Sequence, residues 1–466
     1  MRKTVVIYGS KDTPLMRKAI EVLSQTLLDY IGSYPASFQY DAATDYSKYR
    51  CIFIGTKNNH PYIAQSTQTV PPHAEAYAIS VQNDTVIIEG SDDAGVLYGC
   101  IDFYNQYIVR FEYASNHNRY HQNIFDDVLP DFAYSSAPTV RSRGLWTWGF
   151  VIYDYKGYID NMVKLKMNTL IMWNDYAPLN AKEIIDYAHS CGIRVIWGFS
   201  WGWDSGCKNL SLESLPTQSQ DIFRKFKEEY APLSVDGIYF QTITELKTEY
   251  LGGILVADAV TDFVNNTAKL FFSEYPDLEI QFGLHATSVK QRLEIIKKVD
   301  ARLRIVWEDC GSFPFSYIPH DLDSFEETKA FAEKIATLRG TDDRFGVVTK
   351  GLTKLDWSRF EHLDGPAAMG TGSKSWKADR IVRKSKIWRY LQAYWLTNAD
   401  KVLEMIKAMA EAKQGDLLIT ALVEDGMFEE NIMFPVALYS EMLWDCNADL
   451  PQLINQVALR EYVTFA

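Results

Sequence analysis

From Arg143 onward the chain repeats one unit: a short run of β-branched and aromatic residues ending in polar or aromatic side chains, then, in most cases, a stretch with apolar residues at helical spacing. Eight such runs follow one another, opening at Arg143 (within RGLWTWG), Asn168 (NTLIMWND), Arg194 (RVIWGFSWGWD), Gly237 (GIYFQTITE), Glu279 (EIQFGLHATS), Arg304 (RIVWEDCGS), Phe345 (FGVVTKGLTKLDW) and Asp416 (DLLITALVED). The intervening stretches include YIDNMVKLKM, NAKEIIDYAHSCG, TDFVNNTAKLFFSEYP and VKQRLEIIKKVD. Parallel strands need a crossover between them, so eight alternating units predict a closed parallel (β/α)8 barrel, the TIM barrel. One crossover departs from the rhythm. About sixty residues, Ser358 to Gly415, separate the last two runs, and they read as a loop followed by two long helices inserted into the seventh unit.

Before the barrel the pattern is different. VVIYG, an apolar-periodic segment from Met16 to Ile31 and CIFIGT alternate strand with helix. AYAISVQNDTVIIEG then places two β-rich runs around Asn83-Asp84, a dipeptide suited to a tight turn, and SDDAGVLYGCIDFYNQYI resumes helical spacing. The expected organisation is a small α/β domain over residues 1–125, a Pro/Ser/Asp/Ala-rich linker at 126–139, the barrel at 140–440 and a helical tail at 441–466.

Charge and composition narrow the partners. A net charge of −13 excludes a nucleic acid or an anionic membrane as the expected partner, because binding either takes clustered Lys and Arg. No stretch reaches the roughly 18 apolar residues of a membrane helix, and the N-terminus offers only a short apolar run where a signal peptide needs a longer core. A soluble, cytoplasmic chain is the expectation. The six cysteines are scattered without ligand spacing, which predicts neither a disulfide framework nor a zinc site. With only eight histidines, and His285 alone placed at a strand end, no metal or organic cofactor is expected. Aromatic residues make up 14% of the chain, with 12 Trp and 28 Tyr, enough to fill a large core or to line a sugar-stacking cleft.

In a barrel of this kind the active site assembles at the C-terminal ends of the strands. The residues there are Trp146 and Trp148, then Asn174 and Asp175, then Trp201, Trp203 and Asp204, then Gln241 and Glu245. His285, Trp307, Glu308, Asp309, Lys350 and Glu424 follow on the later strands. Aromatics and carboxylates on one rim fit glycosidic bond cleavage, which takes one protonated carboxyl to donate to the leaving oxygen and a second carboxylate as base or nucleophile. Glu245 suits the acid, since a carboxyl in a dry aromatic pocket keeps its proton near neutrality. Glu308 and Asp309 compete for the second role, because adjacent strand residues face opposite ways. The tryptophans, Asn174, Asp175, Asp204, Gln241 and Glu424 are candidate sugar contacts. Arg143, His285 and Lys350 are candidate clamps for a sugar carboxylate or hydroxyls.

The hairpin-helix AYAISVQNDTVIIEGSDDAGVLYGCIDFYNQ, the barrel opening RSRGLWTWG and the following DNMVKLKMNTLIMW resemble bacterial glycoside hydrolases of the α-glucuronidase and β-N-acetylhexosaminidase type. That resemblance implies a small α/β domain ahead of a catalytic barrel, a carbohydrate substrate and no cofactor. In the hexosaminidases the fourth strand ends in an adjacent Asp-Glu pair, the Asp orienting the substrate acetamide; here the pair reads Thr244-Glu245, which keeps the acid and lacks the assisting Asp. A lone Glu acid on strand four with carboxylates on later strands is more similar to the α-glucuronidases. The expectation is an α-glucuronidase-like hydrolase of terminal sugars, with a hexosaminidase-like enzyme and a non-catalytic carbohydrate-binding relative as the alternatives.

Overall fold

The computed structural model describes residues 2–9, 13–114, 124–201, 211–242, 249–284, 291–310, 324–349, 351–352, 367–413, 415–423 and 428–461. They divide into two compact units, one of Met1–Pro138 with Ser190–Gly192 and Gln452–Ala466, the other of Thr139–His189 and Ile193–Pro451.

The first unit contains β1 (Lys3–Tyr8), α1 (Pro14–Ile31), β2 (Ala36–Gln39), β3 (Tyr49–Gly55), β4 (Tyr77–Gln82), β5 (Thr85–Gly90), α2 (Asp93–Asp102), α3 (Val109–Ala114) and β6 (Phe132–Ser136). Its sheet runs β2-β1-β3-β5-β4-β6, parallel from β2 to β5 and antiparallel from there to β6. Local chemistry sets the element ends. Thr13 accepts a hydrogen bond from the Met16 N–H at the start of α1, Pro14 takes the first helical position, and Gly32 closes the helix at φ 69°. Asn83 and Asp84 turn between β4 and β5 with φ of 48° and 69°, a pairing that Asn and Asp tolerate and β-branched residues do not. The stretch read as a linker is corrected here, since it supplies β6, the edge strand beside β4. Its polar composition masks a five-residue alternation in which the Phe132 ring packs on Tyr107 at 5.2 Å. Buried Arg50 fixes the approach to that strand by donating to the Phe125 and Asp127 carbonyls at 2.7 and 2.6 Å and to Asp84 at 2.8 Å.

The second unit is a closed barrel of eight parallel strands: β7 (Ser142–Trp148), β8 (Thr169–Trp173), β9 (Arg194–Gly198), β10 (Gly237–Phe240), β13 (Glu279–Leu284), β14 (Arg304–Cys310), β15 (Phe345–Thr349) and β16 (Leu417–Leu422). A two-stranded hairpin, β11 (Tyr250–Leu251) with β12 (Ile254–Leu255), lies in the loop after β10. Each of the eight runs read from the sequence is one of the barrel strands. Its helices are α4 (Tyr155–Lys164), α5 (Ala181–Ser190), α6 (Leu215–Lys225), α7 (Val256–Glu274), α8 (Leu293–Ile296), α9 (Phe325–Ala336), α10 (Lys374–Ala412) and α11 (Phe434–Trp444), while α12 (Leu450–Arg460) falls almost wholly in the first unit. None of them is long and apolar enough to cross a membrane. The crossover between β15 and β16 differs from expectation: among its described residues, instead of two helices it holds one, α10, of 39 residues. Neither Gly nor Pro interrupts that segment, so nothing breaks the helix.

Inward-facing Ile171, Ile196, Val306, Val348, Leu418 and Leu422 fill the barrel, together with Trp146 and Tyr239. Each aliphatic side chain buried in this way contributes about 1.5–3 kcal/mol. The floor, at the N-terminal ends of the strands, is ionic. Glu279 sits between Arg304 at 2.8 Å and Arg194 at 2.7 Å, and Arg304 also reaches Asp416 at 2.5 Å and the Phe345 carbonyl at 3.0 Å. Burial alone would raise the pKa of Glu279, but Arg304 and Arg194 together outweigh it and hold the carboxyl down at about 2.

Candidate active site

At the opposite end of the barrel one buried carboxylate stands out. Glu308, on β14 and 5% exposed, accepts hydrogen bonds from the Tyr239 hydroxyl and the Gln241 amide, both contributed by β10 and the residue just past it. Three local features put it there. First, β14 carries one extra residue against β15: Trp307 pairs with Val347 but Cys310 with Thr349, a bulge spanning Glu308 and Asp309. Second, neighbouring Trp307 takes the outward direction and packs its ring on Phe331 of α9 at 5.3 Å. Third, Gly283 on β13 leaves the space the pair occupies, because a Cβ at that position would strike the Tyr239 hydroxyl and the Glu308 carboxylate.

Aromatic rings surround the pair. Trp146 lies 5.7 Å from Tyr239, edge to face, and Trp173 lies 6.2 Å from the same ring. Trp148 stands edge-on to Trp146 at 4.6 Å. Trp146 is buried, whereas Trp148, Trp173 and Gln241 are half-buried and face the strand ends. Burial, and then the charge and hydrogen bond of Glu308, push the Tyr239 hydroxyl well above its ordinary range, so Tyr239 keeps its proton and serves as a donor. A buried carboxylate oriented by a phenol and a carboxamide can act on a sugar as base or nucleophile.

Several residues expected at this rim have other positions. Arg143 lies at the floor, donating to the Val140 and Arg141 carbonyls and stacking over Trp444 at 4.9 Å, because it opens its strand rather than ending it. Trp201 is fully buried in the helix layer, parallel to Phe240 at 3.6 Å and to Phe271 of α7 at 5.4 Å. Trp307 belongs to the same outer layer. Asn174 is buried, and its amide donates to the Tyr176 carbonyl inside the loop after β8. Asp175 accepts from Trp173 Nε1 at 3.3 Å and from the Ser200 N–H at 2.9 Å, so it orients the Trp173 ring. Glu245, Trp203, Asp204, His285, Lys350 and Glu424 lie outside the described residues, as does the side chain of Asp309.

One participant, Tyr239, escaped the sequence reading. It is next to last in β10 and resembles a core residue; the usable signal is strand alternation, which puts Tyr239 on the same face as Gln241 two residues later. Also missed was a second buried carboxyl, Glu429, past the end of β16, which accepts from the Tyr153 N–H at 3.0 Å and pairs with Arg380 of α10. Burial pushes its pKa up to about 7 against the pull of that arginine. Beside it Lys377 bridges Asp154 at 3.2 Å and Glu430 at 2.5 Å, so loops after β7 and β16 are tied to the start of α10.

An eight-stranded parallel barrel preceded by an α/β unit is the architecture shared by several classes of glycoside hydrolase, and the chain is structurally similar to members of four of them. No family model and no curated protein sequence matches it. Among solved structures, a GH138 enzyme targeting pectin rhamnogalacturonan II superposes with a TM-score of 0.55 at 13% identity, over 96% of this chain and 51% of that one. A GH115 4-O-methyl-α-glucuronidase with specificity for decorated arabinogalactans gives 0.54 at 15%, over 96% and 57%. A mutant Streptomyces plicatus β-hexosaminidase in complex with its product GlcNAc gives 0.58 at 11%, over 99% and 90%. The chain spans little more than half the length of the first two.

Proposed function

We infer that the chain is a glycoside hydrolase that removes a terminal sugar from oligosaccharides, in the manner of an α-glucuronidase. The observation that carries this reading is buried Glu308 at the barrel mouth, gripped by Tyr239 and Gln241 beside Trp146 and Trp173. Glu308 is assigned the role of base or nucleophile, with its carboxylate oriented by the Tyr239 and Gln241 donors. Glu245, four residues past Gln241 in the chain, is assigned the general acid. Thr244 stands where the hexosaminidases place an Asp, which favours a uronate over an N-acetylated substrate. The 4-O-methyl-α-glucuronidase activity named for the GH115 neighbour supports the same substrate class by analogy of fold.

The test is turnover of a panel of aryl glycosides, with glucuronide, galacturonide and N-acetylglucosaminide members, by wild type, Glu308→Gln and Glu245→Gln. Release of a uronic acid by wild type, lost in both variants, supports the reading. A wild type that binds sugars without turning any of them over would make the chain a carbohydrate-binding relative instead. Where turnover is seen, proton NMR of the first-formed anomer assigns Glu308 as nucleophile (retention) or base (inversion).

A further inference from the structure

On a chain with net charge −13, the first half of α10 is a local reversal of sign: from Lys374 to Arg389 there are seven basic residues and one acidic, Asp379. Helix stability does not explain it. The first turn contains no acid and carries Lys374, where the positive end of the helix dipole favours acids. Two of the seven are used internally, Lys377 with Asp154 and Glu430 and Arg380 with Glu429, and Arg383 pairs with Asp379 at 2.8 Å. Among the described residues no carboxylate pairs with Lys374, Lys386 or Arg389.

The apolar residues of this half are equally one-sided. Trp388, Leu391 and Trp395 face inward and are buried, while Trp376 is 66% exposed, Val382 73% and Tyr390 48% on the outer face. Fourteen residues separate Trp376 from Tyr390, about 21 Å along the axis, with Arg383, Lys386 and Arg389 between them. This outer face starts beside the barrel mouth. Thr371 bridges Asp154, the Gly372 N–H donates to the Tyr153 carbonyl at 2.8 Å, and the Trp376 ring lies 6.1 Å from that of Tyr153, all in the loop after the strand that carries Trp146 and Trp148.

We propose that the outer face of α10, from Trp376 to Tyr390, docks the continuing chain of a carboxylate-bearing polysaccharide whose end enters the barrel mouth. The inference rests on the glycosidase reading and adds to it a polyanionic, extended substrate. Exposed indole and phenol faces match the C–H faces of sugar rings, and cations between them match carboxylates spaced along a chain. The net charge of −13 opposes any polyanion at long range, so the stripe acts at contact distance, within the Debye length of about 8–10 Å.

The experiment measures binding in a Glu308→Gln background, so that no substrate is consumed, with polygalacturonate as probe and its methyl ester as the uncharged control. Binding to polygalacturonate that exceeds binding to the ester, and falls roughly tenfold or more in Lys386→Glu/Arg389→Glu, is the expected result. Trp376→Ala is expected to weaken binding while leaving its salt dependence unchanged, because it removes a ring and no charge. Equal binding of ester and acid, equal binding by the charge-reversed protein, or preferential binding of double-stranded DNA overturns the inference. Circular dichroism of the variants checks that the exposed substitutions leave the fold intact. Turnover of aryl glycosides by the wild type is read separately: its failure sinks the glycosidase reading, and unaltered binding by the stripe variants sinks this one.

Discussion

The barrel buries a glutamate at each end, and the two are held by different means. At the floor, Glu279 lies between two guanidinium groups, is kept ionised far below the ordinary carboxyl range, and has its oxygens engaged by Arg304, Arg194 and Gln281. At the mouth, Glu308 takes hydrogen bonds from a phenol and a carboxamide, and the phenol ring packs against Trp146 and Trp173. A carboxylate clamped by charge is fixed in place and state, which suits the closing of a barrel. One oriented by a phenol and a carboxamide at the strand ends stands where a substrate can meet it. The comparison teaches that burial of an acid is not in itself a sign of chemistry; its end of the barrel and its donors are.

The sharpest way to break that comparison is to neutralise both ends. Glu308→Gln is expected to lower kcat by roughly 10³-fold or more with little change in Tm. Glu279→Ala should do the reverse, costing about 3–5 kcal/mol of stability by stranding buried Arg304 while the folded fraction retains its kcat. Urea denaturation alongside steady-state kinetics checks both, and an exchange of the two phenotypes would overturn the assignment.

The next effect is in pH. The folded pKa of Glu279, about 2, lies below the ordinary 4.5, so its contribution is present above pH 4.5 and disappears as pH falls through 2. Glu429 is raised from 4.5 to about 7, so its contribution is present below pH 4.5 and is lost as pH rises through 7. Each shift corresponds to about 3 kcal/mol. Unfolding free energy against pH should therefore flatten between pH 4.5 and 7 in Glu429→Gln; an unchanged slope would mean that Arg380 keeps the group ionised.

Gly283→Ala sharpens the mouth side. The new methyl must displace the Tyr239 and Glu308 pair, with an expected stability loss of about 1–3 kcal/mol and a fall in kcat of roughly 10²-fold. Smallest is Tyr239→Phe, expected to lower kcat by roughly tenfold and to move the acidic limb of the kcat/KM profile to higher pH, because the ionised carboxylate loses a donor. A profile that stays in place would assign Tyr239 to packing alone.

The barrel was legible in the sequence because parallel strands covered on both faces are near-continuous apolar runs, and all eight stood clear of their flanking helices. The site was less so, because a position at a strand end does not say which face a side chain takes. Trp307 and Glu308 are neighbours, yet one enters the helix layer and the other the barrel. Trp201 stacks on Phe240 in the outer layer, and Arg143 sits at the floor because it begins its run. Tyr239 was hidden among apolar neighbours that it resembles in everything but its hydroxyl. Glu429 and Arg380 lie about fifty residues apart in sequence, outside any strand, and only the folded crossover brings them together.

The extra residue in β14 carries one more consequence. A strand displaced by one position ordinarily swaps its inner and outer faces, and here that parity change is confined to a single step at Glu308 and Asp309. The acid itself still follows the plain alternation of Val306 and Trp307, so its address is written in the number of residues before it. Deleting one residue between Arg304 and Trp307 would move Glu308 from the barrel to the helix layer, so single-codon deletions there should be tolerated far less well than conservative replacements.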